Sequence, residues 1–357
     1  MDRQEKFSGT KDVAETHKFD VARLEEYMQA HVEGFEGPLE VRQFKGGQSN
    51  PTYQLLTPNR KYVLRRKPPG KLLPSAHAVD REYRVITALG SVGFPVARSF
   101  CLCEDDDVIG TMFYIMENVE GRILWDVSLQ DMDKADRWPI FEAKVETLAK
   151  LHQIDYEAIG LGDYGKPGNY FERQIGRWTK QYIASETSKI SAMHKLIDWL
   201  PGNIPHDEAT SIVHGDYRLD NMVLHPDKPE VLAVLDWELS TLGHPLGDFT
   251  YHLMQWHLPN QSASATSSLH GLDLKEMGIP TVEEYTAMYC AHTGRDGIEN
   301  IDYYMAYNMF RLAGILQGIV GRVRDGTANS AHAAEIDKSV EPLANAGWEF
   351  AQKAGAV

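Results

Sequence analysis

Along the chain, the spacing of apolar positions changes from one period to another. Between about Leu39 and Arg66 apolar residues alternate with polar ones in LEVRQF, TYQLL and KYVLRR, which are separated by Gly46–Gly47 and by the turn pair Asn59–Arg60. Period two with turn residues between the runs predicts strands. FCLCE and TMFYIME, on either side of an acidic turn at Asp105–Asp107, predict a further strand pair. A helix is predicted over Ala76–Leu89, where Val79, Tyr83, Ile86 and Leu89 share one face, and a shorter one near residues 21–28, after a polar arm over residues 1–20. After Met116 the period lengthens. Pro139 is expected to open a helix whose Phe141, Val145, Leu148 and Leu151 form one stripe. Helical spacing then continues to the end, apart from short strands in NMVLH and VLAVLDW. The expected fold class is α+β with two lobes: a small antiparallel-sheet lobe over about 30–117 and a larger helical lobe over about 122–350. The corresponding division of the chain is 1–117 and 118–357, with the joint near residues 117–121.

Composition narrows the function classes. A chain of 357 residues, 43% hydrophobic and 24% charged, has globular proportions and needs no disulfide or metal staple to build a core. Its 36 basic and 51 acidic residues give a net charge of −15, the wrong sign for a whole-surface nucleic-acid binder. Any anionic ligand must therefore meet a local basic patch or a bridging metal. Three cysteines, Cys101, Cys103 and Cys290, suit reduced thiols in a cytoplasmic setting. The charged start MDRQEKFSGTKDVAETHKFD is expected not to be a secretory signal. No run of 18 apolar residues reads as a membrane span, and the longest candidate, MFRLAGILQGIVGRVR, is interrupted by Arg311 and three glycines.

The most informative segment is IVHGDYRLDNMVLHPDKPEVLAVLDWELSTLGHPLGD. Asp216 and Asn221 are five residues apart in a predicted loop, and Asp236 follows fifteen residues later, after the apolar run VLAVL. Phosphoryl transfer needs such a set: a carboxylate to orient the attacking hydroxyl and take its proton, and oxygen ligands for Mg²⁺. Asp216 fits the first role, and Asn221 and Asp236 the second. A metallohydrolase built on His214, Asp216, His225 and His244 is a competing reading, but these histidines lack the i, i+4 pairing of a helical zinc site. A third reading is a non-catalytic nucleotide-binding module.

His-Gly-Asp-x-x-x-x-Asn followed by Asp-Trp-Glu resembles the aminoglycoside phosphotransferase family, a branch of the protein-kinase-like fold. With GGQSNPTY, YVLRRKPPG, DREY, GFPV, MENVEGR and RWTKQY, the resemblance covers about residues 35–325. It is closest to the kinase-like domains associated with acyl-CoA dehydrogenases and to bacterial 4-hydroxyacyl-CoA kinases. The resemblance implies Asp216 as catalytic base, Asn221 and Asp236 as Mg²⁺ ligands, Asp248 as a brace for the loop, and ATP or GTP as phosphate donor. His214 is expected to support the loop, and Glu238 either to approach the metal or to be solvated.

The other elements of a nucleotide site are placed by position. Gly46, Gly47, Ser49 and Asn50, between two predicted strands, would offer donors to phosphate oxygens. Alternation along YVLRRKP puts Val63, Arg65 and Lys67 on one face and Tyr62, Leu64 and Arg66 on the other. Val63 would cover the base, and Arg65 would reach the phosphates, although Arg66 and Lys67 stay open as alternatives. Glu82 on the following helix is the expected partner for that cation. Glu117 and Val119 in MENV would offer backbone groups to the purine edge.

For the acceptor, Arg173, Arg177 and Lys180 share a helix face, and Arg311 and Arg322 align about three turns apart. Such clusters favour an anionic substrate; the resemblance implies a hydroxyacyl-CoA thioester as the leading acceptor, with an aminoglycoside or other small alcohol as the alternative. A functional link to an acyl-CoA dehydrogenase is the implied partnership; neither nucleic acid nor a membrane is expected.

Overall fold

The computed structural model describes residues 8–45, 50–68, 77–207, 209–259, 268–326 and 333–357. They form two compact units, each discontinuous in sequence. The first comprises the chain to Trp125 with Glu157–Leu161 and Leu219–Ser240; the second comprises Asp126–Tyr156, Gly162–Arg218 and Thr241–Val357.

In the first unit six strands form an antiparallel sheet: β1 (Thr10–Lys11), β2 (Glu40–Phe44), β3 (Thr52–Leu56), β4 (Lys61–Arg66), β5 (Ser99–Cys103) and β6 (Phe113–Glu117), in the order β1-β2-β3-β4-β6-β5. The expected polar arm therefore contributes an edge strand. Strand alternation sorts the two faces. Tyr62 and Leu64 of β4 enter the core with Tyr53, Leu55, Phe113 and Ile115. Helix α1 (Val21–His31), capped by the Asp20 carboxylate on the amides of Ala22 and Arg23, covers this face with Leu24 and Met28. Arg66 shares the face: its guanidinium lies 5.0 Å from the Phe19 ring centre and 5.4 Å from that of Tyr53, and donates to the carbonyls of His17 and Ile109. Val63 and Arg65 point the other way, Arg65 lying opposite Thr52 and Tyr114 in the register.

Helix α2 (Val79–Ser91) begins later than expected, and Ala76 lies outside the described residues. Its buried stripe is Val79, Glu82, Val85, Ile86 and Leu89, so a carboxylate occupies a core-facing position and Tyr83 is half-buried. The acidic turn after β5 is a single helical turn, Asp106–Ile109, capped by Asp105. The antiparallel hairpin Met222–Leu224/Val231–Val234 also belongs to this unit. Its ties are the Val234 amide on the Pro95 carbonyl at 2.9 Å and the Arg122 amide on the Leu224 carbonyl at 2.8 Å.

The second unit is helical, with one short antiparallel ladder, Ser211–Val213 against Thr241–Gly243. Its main helices are α3 (Lys134–Gln153), α4 (Tyr170–Ser185), α5 (Ser191–Trp199), α6 (Pro245–Leu253), α7 (Val282–Thr293), α8 (Ile301–Arg324) and α9 (Ala333–Lys353). Pro139 lies inside α3 rather than at its start. The turn ahead of it stays helical because the Arg137 guanidinium is anchored on the carbonyls of Met132 and Met277. Helix α8 carries the apolar run that the glycines were expected to interrupt, and it runs unbroken through them. A Cβ at Gly318 would come within 2.7 Å of Gln181, and one at Gly321 within 2.6 Å of Ser185, so these glycines let α8 and α4 approach closely. Cys101, Cys103 and Cys290 are buried free thiols. Among the described residues no helix is long and apolar enough to cross a membrane.

Arg66→Ala removes two charge-assisted hydrogen bonds and two ring contacts from a buried site. It should destabilise the fold by about 3 kcal/mol, read as a lower denaturation midpoint in urea at unchanged slope.

Candidate functional site

The first unit gathers a charged cluster on the α2 side of the sheet. Arg65 Nε lies 3.0 Å from Glu82 Oε2, and its Nη2 lies 2.6 Å from Asp236 Oδ1 and 3.6 Å from Glu238 Oε2. Tyr114, across the ladder from Arg65, donates its hydroxyl to Glu82 Oε2 at 3.0 Å. Asn50 is fully buried; its amide nitrogen donates to Glu82 Oε1 at 3.0 Å and reaches Glu238 Oε2 at 3.5 Å, while its oxygen accepts from His77 Nδ1 at 2.9 Å. Of the three cations left open by the sequence, Arg65 is therefore the one held by Glu82. Arg66 is turned to the core face, and Lys67 lies 3.7 Å from Asp80.

Backbone geometry explains how Asp236 joins this cluster. Asn221 closes a 3₁₀ turn, Leu219–Asn221, and its carbonyl accepts from the Leu235 amide at 2.8 Å. Asn221 and Asp236 thus flank the same end of the hairpin. Asp236 leaves the strand with φ 65° and ψ 61°, the left-handed region, which costs a residue with a Cβ about 1–2 kcal/mol. That turn breaks the strand alternation and aims the carboxylate at Arg65. Trp237 secures the next turn, its indole donating to the Val234 carbonyl at 2.9 Å.

Burial sets the electrostatics. Glu82 is 1% exposed, and its carboxyl is pushed up to about 7, first by burial and then by Asp236 and Glu238, against the opposing pull of Arg65 and the Tyr114 hydroxyl. Burial disfavours the Arg65 cation, but Glu82 and Asp236 outweigh it and raise its pKa. With all groups ionised, three carboxylates face one guanidinium. Oxygens of Glu82, Asp236 and Glu238 lie within 4.8 Å of one another, close enough to share a metal ion. An all-oxygen set with surplus negative charge suits a hard divalent cation such as Mg²⁺.

The second unit holds Asp216 on its own scaffold. The Asp248 carboxylate, 2% exposed, accepts from the amides of His214 at 2.7 Å and Gly215 at 2.8 Å. His152 lies 3.3 Å from Asp248 through Nε2 and 2.7 Å from the Tyr289 hydroxyl through Nδ1. Burial alone would raise the Asp248 pKa, but the His152 hydrogen bond, the His152 and His214 rings and the His214 amide outweigh it and hold the carboxyl below its ordinary range. The Asp216 amide donates to His214 Nδ1 at 3.2 Å, so His214 supports the loop as expected. Asp216 Oδ1 accepts from the Tyr251 hydroxyl at 2.9 Å and lies 3.1 Å from Arg218 Nε.

Other expected residues fall as follows. Gly46, Gly47 and Ser49 lie outside the described residues. Val63 is buried between Gln54 and Met116 in the register. The Glu117 amide is spent on the Arg98 carbonyl at 2.8 Å and so is not the group that meets a purine; Val119 lies just beyond the strand. Arg173 donates to the carbonyls of Lys166 and Gly168, closing the turn before α4, and lines an open depression with Arg177, Lys180, Asn169, Gly176 and the acidic Glu172. Arg311 does not join Arg322 on a solvent face. Arg311 is 6% exposed, and its guanidinium donates to the Gly215 carbonyl at 2.7 Å, whereas Arg322 is exposed. Nor do the histidines gather for zinc: His225 Nδ1 accepts from the amides of Asp227 and Lys228, and His244 Nδ1 from that of Leu246. Among the described residues, Glu82, Asp236 and Glu238 are the group of this kind arranged for a metal. Tyr114, His77, Tyr251, Arg218 and His152 were not expected from the sequence. DFTYHL places Tyr251 three residues after Asp248, one helical turn along α6, which is the signal that could have found it.

The chain resembles known phosphotransferases in sequence and in fold. The model of the phosphotransferase enzyme family matches residues 40–285. Mouse acyl-CoA dehydrogenase family member 10 is 46% identical over 347 residues, 97% of this chain and 32% of its own length. Human acyl-CoA dehydrogenase family member 11 is 41% identical over 355 residues, 97% of this chain and 45% of its own length. The chain thus spans between a third and a half of these curated relatives. A Ralstonia eutropha protein of known structure, described as an aminoglycoside phosphotransferase, is 55% identical with TM-score 0.86, covering 94% of this chain and 99% of that one. Choline kinase from Cryptosporidium parvum, 11% identical with TM-score 0.64, covers 94% of this chain and 97% of its own and shares the fold alone. The fold is that of the protein-kinase-like phosphotransferases, as the sequence resemblance implied.

The raised Glu82 carboxyl has a consequence for stability. Between its ordinary pKa of 4.5 and about 7, the folded state keeps a proton that the unfolded chain has released. Stability of the metal-free protein should therefore fall as pH rises through that window, by about 3 kcal/mol. Denaturant titrations in the presence of a chelator should show this decline in the wild type and its loss in Glu82→Gln.

Proposed function

The chain belongs to the phosphotransferase enzyme family, and from that premise we propose that it moves the γ-phosphate of ATP or GTP to a hydroxyl of a small molecule, with a 4-hydroxyacyl-CoA as the acceptor. The observation that carries the transfer is the braced loop: Asp216, the proposed base, sits on peptides pinned by Asp248 and has its carboxylate oriented by donors from Tyr251 and Arg218.

In this reading Asp216 orients the acceptor hydroxyl and takes its proton as the oxygen attacks the γ-phosphorus in line. The bond from that phosphorus to the β–γ bridging oxygen breaks, and the nucleoside diphosphate leaves. Asn221 and Asp236, with Glu238 beside them, hold Mg²⁺, which neutralises phosphate charge when bound. Arg65, pre-aimed by Glu82, pairs with phosphate oxygens. Asn50 borders the phosphates, with Gly46, Gly47 and Ser49 kept as candidates by sequence position alone, Val63 packs on the base, and the chain at Glu117–Val119 meets the purine edge. Positioning and charge neutralisation supply most of the acceleration.

Two observations support the acyl-CoA acceptor. The curated relatives carry the name of acyl-CoA dehydrogenase family members, and the chain matches them over 97% of its length. Arg177 and Lys180 line one open depression in a protein of net charge −15. This chemistry also makes a partnership with an acyl-CoA dehydrogenase part of the proposal, since a phosphate is a better leaving group than a hydroxyl for a later elimination. An aminoglycoside or other small alcohol is the second reading, favoured by the description of the Ralstonia eutropha structure. A polycationic antibiotic would be repelled by the same basic depression.

Incubation with Mg-ATP and a mixed acyl-CoA and alcohol library, read by mass spectrometry, should give one product heavier by a phosphoryl group. Asp216→Asn should abolish that product, with turnover down by about a thousandfold or more, while nucleotide binding measured by calorimetry persists. Arg177→Glu should raise KM for the CoA thioester at least about tenfold and leave KM for the nucleotide unchanged. Equal effects on both would move the acceptor away from this depression.

A further inference from the structure

The loop that carries Asp216 is held through its backbone and its side chain by one connected set of residues. Gly215 has φ 83°, a left-handed conformation that favours glycine, and its peptide groups are taken on both sides. Its amide donates to Asp248, and its carbonyl accepts from Arg311 Nη2 at 2.7 Å. The Arg311 guanidinium also lies over the Tyr251 ring, 4.6 Å from its centre, with the Trp178 ring 5.9 Å away. The Tyr251 hydroxyl in turn donates to Asp216 Oδ1 at 2.9 Å. Arg311 therefore fixes the peptide before Asp216 and backs the ring that orients the Asp216 carboxylate.

We propose that Tyr251 is a positioning residue for the Asp216 carboxylate, with Arg311 as the support that keeps ring and loop in register. The inference rests on the phosphotransfer reading, in which Asp216 takes the acceptor's proton. A carboxylate turning about two side-chain torsions spends little time aimed at one hydroxyl, and a donor of fixed direction removes that freedom. The same hydrogen bond stabilises the anion and so keeps the base ionised. Burial and the charge of Asp216 push the Tyr251 phenol up, which leaves its proton in place to donate. Burial disfavours a charge on Arg311, but the neighbouring Tyr307, Tyr170, Tyr251 and Asp216 keep it cationic.

Within this unit the groups that reach Asp216 include Tyr251 from α6, Arg311 from α8, and Arg218 and His214 from the loop itself. Arg218 approaches the same Oδ1 but is a long side chain, 19% exposed and rooted on the loop it would have to steady. The ring of Tyr251, by contrast, is backed by a buried cation and set on a helix. This difference in rigidity singles out the tyrosine.

Tyr251→Phe deletes the hydroxyl and keeps the ring beneath Arg311. In steady-state assays kcat should fall about tenfold or more while nucleotide KM stays unchanged. The acidic limb of the kcat–pH profile should move to higher pH, because Asp216 loses a donor that favours its anion. A ¹³C-carboxylate NMR titration, with the Asp216 resonance assigned by its loss in Asp216→Asn, needs no turnover and should show Asp216 titrating higher by about one unit in the variant. An unchanged Asp216 titration would overturn the positioning role whether or not an acceptor is found. So would an unchanged kcat and pH limb in a protein that transfers phosphate. A shifted titration in a protein inactive on every acceptor would instead sink the phosphotransfer reading and leave the contact established.

Discussion

A buried carboxylate, Asp248, accepts the amides of two consecutive residues, His214 and Gly215, and the arrangement of the catalytic loop follows from it. Just past these two N–H groups Gly215, in the left-handed region, turns the chain toward Asp216. His152 and the two amides compensate the cost of burying the Asp248 charge, so the brace stays anionic. Arg311 grips the carbonyl of the same glycine, in the next peptide. The loop is irregular backbone, yet its position is set by a helix on one side and a buried ionic group on the other.

The first unit solves a different problem, how to hold surplus negative charge in a nearly dry place. Glu82 sits in the apolar stripe of its helix, and Asp236 pays a left-handed backbone to reach the same guanidinium. Asn50 and Tyr114 add neutral donors to Glu82. Such a cluster is poorly balanced by itself and well suited to a cation. Arg65 and Arg66, neighbours in sequence, illustrate how strand geometry divides labour. One closes the core against Phe19 and Tyr53, and the other serves the charged face.

Much of this was legible in the sequence because it depends on local periodicity or on short-range spacing. Period two placed Val63 and Arg65 on one face of β4, and the strand pairs appeared where alternation was clean. HGD, Asn221 and Asp236 could be singled out as candidates because loop and hairpin chemistry is contiguous. Contacts made at long range were not visible. Arg311 looked like a surface cation because helical spacing reports a face without saying what covers it, and α4, α6 and the loop cover this one. Pro139 was read as a helix start because Pro is favoured there, whereas Arg137 ties an earlier turn to the nearby Met132 carbonyl and to that of Met277, far along the chain. The glycines of α8 looked like interruptions and instead admit a neighbouring helix.

The threading of the chain has an evolutionary corollary. The backbone passes from one compact unit to the other after Trp125, Tyr156, Leu161, Arg218 and Ser240. No single cut releases either unit as a contiguous fragment, so neither can be shuffled into another gene by one recombination event. Relatives in which this whole length occupies a third to a half of a longer polypeptide are what that topological restriction permits.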